Sequence, residues 1–246
     1  MPQRGDPFGD AYWDDIAARW DAEIFDTLRH DRQRVILDEL IRRAARSRRV
    51  ADFGCGVGKY LPTLSRLFGE VHGFDQSPVC IRVARERTRS CSNVRLHVAA
   101  RPAVSLTGAF DVAVCVNAAI HPKRSKWLSV LRSSLRLVRP GGWILLVAPA
   151  LEAADMMEHI IDDDGTYRVV SSRRGLVTIQ GVPTKHFKGA ELRDQLTALG
   201  VCSCRVRPVE YTWASCGVRR HVPRQVRKPW DWLAVGRRSE RALLTT

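Results

Sequence analysis

Val50-Ala51-Asp52-Phe53-Gly54-Cys55-Gly56-Val57-Gly58 is a short apolar run that ends in an acid and enters three glycines at alternate positions. A second apolar run, Val71-His72-Gly73-Phe74, ends in Asp75. Glycines where a strand turns into a helix let the backbone approach a nucleotide-like ligand with no Cβ in the way. A carboxylate at the tip of the next strand is placed to accept the two hydroxyls of a ribose. The pair of features points to an adenosine-containing ligand. The dinucleotide fingerprint G-x-G-x-x-G does not fit, because the third glycine comes one residue early, at Gly58, and Lys59 follows it. A nicotinamide oxidoreductase is disfavoured on that spacing.

Outward from this core the chain alternates strands and helices. Arg34–Ala45 places apolar residues at helical spacing ahead of the first strand, Val50–Phe53. Tyr60–Phe68 reads as the helix leaving the glycine loop, and Val71–Phe74 as strand two. Ser77-Pro78 is a helix start. Strands three, four and five are expected at Val94–Val98, Phe110–Val116 and Trp143–Ala148. A helix from about Ser125 to Leu137 precedes the fifth and is stopped by Arg139-Pro140-Gly141-Gly142. Further on, a helix ends near Ile161, and two short strand-like runs follow, Tyr167–Val170 and Leu176–Gln180. Gly189–Gly200 is another helix, and Val201–Trp213 and Trp230–Gly236 read as the last strands. Ser215–Lys228, rich in Arg and Pro, reads as an exposed loop. The alternation is that of a doubly wound α/β sheet.

The form D-x-G-x-G-x-G over Asp52–Gly58 resembles motif I of the class I S-adenosylmethionine (SAM) methyltransferases. Phe110-Asp111-Val112-Ala113-Val114 is similar to that family's fourth strand, and Leu137–Gly142 to its turn before strand five. Glu191–Gly200 resembles the helix and glycine ahead of strand six. The resemblance implies one domain over residues 1–246, a three-layer α/β/α sandwich. Its seven-stranded, mostly parallel sheet would have the order 3-2-1-4-5-7-6, with strand seven antiparallel. Residues 1–47 would form an N-terminal helical cap, and residues 150–187 a substrate-side insertion.

It also implies SAM as the cofactor and S-adenosylhomocysteine (SAH) as the product. The expected cofactor contacts are Asp52, Gly54, Cys55, Gly56, Gly58, Asp75, Gln76, Ala99, Ala100 and Asn117. Asp52 would act near the amino group, Asp75 on the ribose, Gln76, Ala99 and Ala100 beside the adenine, and Asn117 near the sulfonium. The family often carries an acid after strand three, where this chain has Ala99-Ala100-Arg101. Two histidines are candidate general bases because imidazole titrates near neutral pH. They are His121, just past strand four, and His186, ahead of the late helix. His121 also suits a local hydrogen bond at a helix start, and His186 reads first as a surface histidine. Tyr12, Trp13 and Trp20 can form an aromatic lid or pack the first helix. No residue set has metal-ligand spacing, and Asp162–Asp164 reads as a solvated acidic turn.

The sequence carries a net charge of +14 and 45% hydrophobic residues, enough for a sizeable core. No apolar run approaches the ~20 residues of a membrane span, and the start has no apolar signal core. A cytoplasmic protein is expected. The seven cysteines are scattered, and Cys202 and Cys204 read as small core hydrophobes. Val201–Thr246 holds ten Lys/Arg against three acids. The first reading is a methyltransferase acting on an oxygen or nitrogen of a small molecule, by in-line displacement. Two others stay open: an RNA or protein methyltransferase using the basic C-terminal face, and a SAM-binding, non-catalytic partner subunit.

Overall fold

The computed structural model describes residues 12–17, 26–45, 48–161, 167–179, 181–218 and 221–240. Residues 1–11, Trp20 and Asp162–Asp164 lie outside the described residues.

Seven strands form the central sheet: β1 (Arg49–Phe53), β2 (Glu70–Asp75), β3 (Val94–Val98), β4 (Phe110–Val116), β5 (Val138–Pro149), β9 (Val201–Glu210) and β10 (Trp230–Arg238). Their order is β3-β2-β1-β4-β5-β10-β9. β1 to β5 run parallel, and β10 is antiparallel to both neighbours. The expected order and reversed strand are therefore present. Central strands of such a sheet are buried on both faces, which is why β4 and the second half of β5 are almost wholly apolar.

Alternation sorts the side chains into two layers. Val50, Val71, Val112, Val114, Leu145 and Val147 pack beneath α2 (Val35–Ala44), α3 (Leu61–Leu67) and α4 (Pro78–Arg87). On the opposite face Ile144, Leu146 and Ala148 meet α5 (Arg124–Leu137) and α7 (Gly189–Ala198) through Leu131, Leu135, Leu192 and Leu196. A short helix, α1 (Thr27–His30), precedes α2. In the link between them the Asp31 carboxylate accepts from the N–H groups of Val35 and Ile36, at 2.9 and 2.7 Å. Asp31→Ala strands these two helix-start donors, so we expect a loss of about 1–2 kcal/mol, or roughly 2–8 °C in Tm by calorimetry.

Residues 150–187 leave this sandwich. α6 (Leu151–Ile161) packs on a separate antiparallel sheet of β6 (Tyr167–Ser171), β7 (Leu176–Ile179) and β8 (Val182–Lys185). The sequence suggests two strands here; β8 is the third. Pro183 disguises it, and β8 tolerates a proline because it is an edge strand of its sheet.

Two other expectations change. Arg139-Pro140-Gly141-Gly142 is not a turn but the bulged start of β5: Val138 pairs with Phe110, and the register shifts before Val112 pairs with Trp143. Cys202 is exposed rather than core, because Ser203 takes a positive φ of 52° and breaks the alternation of β9.

Candidate active site

The ends of β1 and β2 meet through backbone and one carboxylate. The N–H groups of Gly54 and Cys55 both donate to the Phe74 carbonyl, at 2.8 and 2.9 Å. Asp75, the next residue, accepts from Gly56 N–H at 2.8 Å and from Ser77 N–H at 2.9 Å. The acid thus latches the glycine loop on one side and the start of α4 on the other. Ser77 Oγ caps α4 by accepting from Cys80 N–H, and donates to Asp14 Oδ1 at 2.6 Å. That bond draws the helical residues 12–17 over the site, where Ala17 packs on Val57 and Cys80.

Two glycines are needed for steric reasons. Gly54 has φ +76°, and a Cβ there would lie 2.4 Å from the Ala118 Cβ. Gly58 has φ +77°, and a Cβ would lie 2.9 Å from Leu61 Cδ1 and 3.0 Å from Ala84 Cβ. The loop therefore sits hard against the end of β4, against α3, which it feeds, and against α4. The Cys55 side chain turns into the core, where burial pushes its thiol up, so only its backbone faces the loop.

Asp52 is the anomaly of this region. It is 1% exposed, and neither carboxylate oxygen has a hydrogen-bond partner. Burial, then the charge of Asp75, pushes its carboxyl up to about 7. An acid kept from water with no donor is expensive unless a cation or donor arrives. On the far side of Asp75, Ala99 N–H donates to the Asp75 carbonyl at 2.7 Å. Gln76 and Ala99 are half-buried and Ala100 is exposed, which leaves all three at the rim beyond β2 and β3.

Asn117, with a left-handed φ of 50°, ends β4. Its Nδ2 donates to Thr27 Oγ1 at 3.3 Å and to Asp231 Oδ2 at 3.2 Å. Tyr211 O–H donates to the same Asp231 oxygen at 2.9 Å. Burial pushes the Asp231 carboxyl up to about 6, against the lowering effect of those two bonds. Thr27 also touches the phenols of Tyr60 and Tyr211, and Tyr60 feels the Asp52 charge. A polar chain thus runs from the glycine loop to Asp231.

Asp231 opens on a cleft of about 170 Å³. Its walls are apolar, with Pro149, Ala150, Ala153, Met157 and Trp230 prominent, and its polar groups are Asn117, Tyr211, His186 and Asp231. His186 is therefore on the cleft. Burial pushes its ring down to about 3, and Nδ1 lies 3.3 Å from Thr184 Oγ1. His121 does not line the cleft; its Nδ1 accepts from Lys123 N–H at 2.9 Å, a local helix-start bond.

The sequence reading missed Asp231, Tyr211, Thr27 and Tyr60. A trace of the first is visible in Trp230-Asp231-Trp232, a lone acid inside an apolar strand. Among the described residues no group of three or more His, Cys, Asp or Glu could hold a metal ion, and no helix is long and apolar enough to cross a membrane. Several arginines of the basic C-terminal stretch serve the fold. Arg207 bonds Val35 O and Glu39, Arg227 pairs with Glu210 at 3.7 Å, and Arg237 bonds Gly141 O.

The family profile described as "Methyltransferase domain" matches residues 50–142. The ubiquinone biosynthesis O-methyltransferase of Xanthomonas campestris pv. campestris (strain B100) is 30% identical over 131 residues, 52% of this chain and 54% of that protein. The protein of the same name from Bordetella avium (strain 197N) is 27% identical over 169 residues, 67% of this chain and 66% of that protein. The matched stretch thus spans about half the length of the first of these relatives. Among solved structures, the DhpI–SAH complex superposes with a TM-score of 0.63 at 19% identity, covering 98% of this chain and 100% of that one. Residues 50–142 thus match a methyltransferase domain, and the glycine loop, the Asp52 and Asp75 carboxylates and the reversed seventh strand sit on the fold of the SAM-dependent methyltransferase structures it resembles.

Proposed function

We propose that the protein is a SAM-dependent methyltransferase that acts on a hydroxyl group of a small, largely apolar acceptor. The observation that carries the cofactor is Asp52. Its two buried, unpartnered oxygens suit the ammonium of a methionyl group lying in the glycine loop. Asp75 would hold the ribose, the rim of Gln76, Ala99 and Ala100 the adenine, and Asn117 the end nearest the cleft. When bound, SAM supplies a methyl group on a positively charged sulfur, open to displacement by an aligned nucleophile. What the chain must supply is alignment and exclusion of water. Asn117, bridging the polar chain and the cleft, supports the first. Residues 150–187, whose α6 and β7 wall the cleft, support the second and act as the cover over the acceptor.

The acceptor class rests on the apolar walls with a few converging polar groups, and on relatives named O-methyltransferases. Release of SAH from SAM in the presence of small catechols and hydroxybenzoates tests it. Methylation only of RNA or protein would count against it.

The cofactor reading has a pH signature. A carboxylic acid titrates near ~4 in an unfolded chain, so between about 4 and 7 folded Asp52 holds a proton that the unfolded chain has released. Without ligand, Asp52 therefore costs stability as pH rises through that window, on the order of 4 kcal/mol in all. A bound ammonium needs the ionised carboxylate, which reverses the linkage. We expect SAH affinity to rise about tenfold per pH unit from pH 5 to about 7 and to flatten above it. Calorimetric titration across that range checks this, and Asp52→Asn should be weak and flat. A flat profile in the unaltered protein would remove Asp52 from the ligand.

A further inference from the structure

Resting on the methyltransferase reading, we infer that Asp231 is the group that takes the proton from the acceptor hydroxyl, through Oδ1, and that Tyr211 and Asn117 are the residues that position it.

The geometry divides the two carboxylate oxygens. Oδ2 accepts both the Tyr211 O–H and the Asn117 Nδ2–H bonds, at 2.9 and 3.2 Å. Oδ1 accepts no hydrogen bond from the described residues, and the side chain lines the cleft. Two donors on one oxygen fix the carboxylate plane and leave the other oxygen for a ligand. Asp231 sits on β10, opposite Pro149 of β5, because the reversed strand begins at the edge where the parallel strands end. That places it next to Asn117, at the boundary between the cofactor loop and the cleft.

The groups facing Asp231 leave it poised rather than neutralised. Tyr211 and Asn117 touch it, Thr27 stands behind both, and Cys216 is near enough to feel its charge. His186 shares the cleft but is held neutral by burial. Arg227 lies over the Trp230 ring at 3.9 Å and pairs with Glu210. Among the described residues no Lys, Arg or His forms an ion pair with Asp231. An acid raised towards neutrality is ionised at pH 7 and still basic enough to receive a proton. His186, with its ring pushed down to about 3, is a far weaker base. His121 is off the cleft.

The transfer balances. As the acceptor O–H bond breaks, its proton goes to Asp231 Oδ1 and the oxygen lone pair forms the new O–CH3 bond. The carbon–sulfur bond breaks with its electron pair left on sulfur, which cancels the sulfonium charge. Asp231 then returns the proton to solvent as the cleft opens.

The test uses the whole protein kept saturated with SAH at every pH, with 4-methylcatechol as the probe, followed by calorimetry from pH 5 to 8. The expected result is catechol binding that strengthens as pH rises through about 6, with Asp231 ionising. Asp231→Asn should bind the probe about tenfold or more weakly, with no pH dependence. Tyr211→Phe should move the midpoint upward, because it removes a bond that favours the ionised form. Both variants should bind SAH as the unaltered protein does, which also shows that they fold. Failure of the unaltered protein to bind SAH would overturn the methyltransferase reading itself. SAH binding with no catechol binding, or with binding that is pH-independent or equal in Asp231→Asn, would overturn the role of Asp231 alone.

Discussion

Asp75→Ala should lower SAH affinity by about 100-fold or more, since two charge-assisted hydrogen bonds to a ribose are lost at about 1.5–3 kcal/mol each. The loss has a second source in the fold itself. Asp75 is the acceptor for Gly56 N–H and Ser77 N–H, so the substitution also releases the glycine loop from the start of α4. Asp75→Asn separates the two effects. An amide oxygen can still accept one of those backbone bonds, so stability should be partly kept while ribose binding stays weak. One further consequence has the opposite sign. The Asp75 charge helps to raise the Asp52 carboxyl, so removing it should bring Asp52 back down from about 7. A carboxyl-labelled NMR titration of Asp52 in both variants would read this. If Asp75→Ala bound SAH as well as the unaltered protein, the ligand would not lie where β1 and β2 end.

Gly54→Ala is expected to be the most damaging single change in the glycine loop. It forces a φ of +76° on a residue with a Cβ and drives that Cβ to 2.4 Å from the Ala118 Cβ. The left-handed backbone costs about 1–2 kcal/mol and overpacking about 1–3 kcal/mol more. Together they should lower Tm by about 5–15 °C in a chain of this size. SAH binding should fall at least about tenfold, because Ala118 follows Asn117 and the end of β4 must shift. The double variant Gly54→Ala with Ala118→Gly isolates the terms. It should recover the steric part and leave the backbone part. Equal losses in the single and double variants would mean that the contact with β4 does not matter.

The local parts of this site are legible in the sequence because they are written in consecutive residues. Asp52–Gly58 needs only a strand, a tight turn and a helix. Asp75 needs only the end of the neighbouring strand. Strand order follows from the same logic, since alternating apolar runs and helices leave few ways to wind a sheet. The cleft is different. Thr27, Asn117, Tyr211 and Asp231 come from four distant stretches and meet only because β10 reverses and returns to β5. Only Asp231, an acid between two tryptophans, leaves a trace in its sequence neighbours, and that trace does not say what it meets. The two histidines drew the reading because imidazole is a familiar base, but burial and a local helix-start bond decide their chemistry. Residue type alone records neither. Pro183 hid β8 for a similar reason: what makes it tolerable is an edge position that exists only in the folded sheet.

Calorimetric titration of the unaltered protein with SAH at pH 8 is the most direct test that this chain is a SAM-dependent enzyme. Asp52 is ionised there, and binding should be one-to-one and micromolar. The absence of heat up to millimolar SAH would contradict the assignment and return the glycine loop to a structural turn.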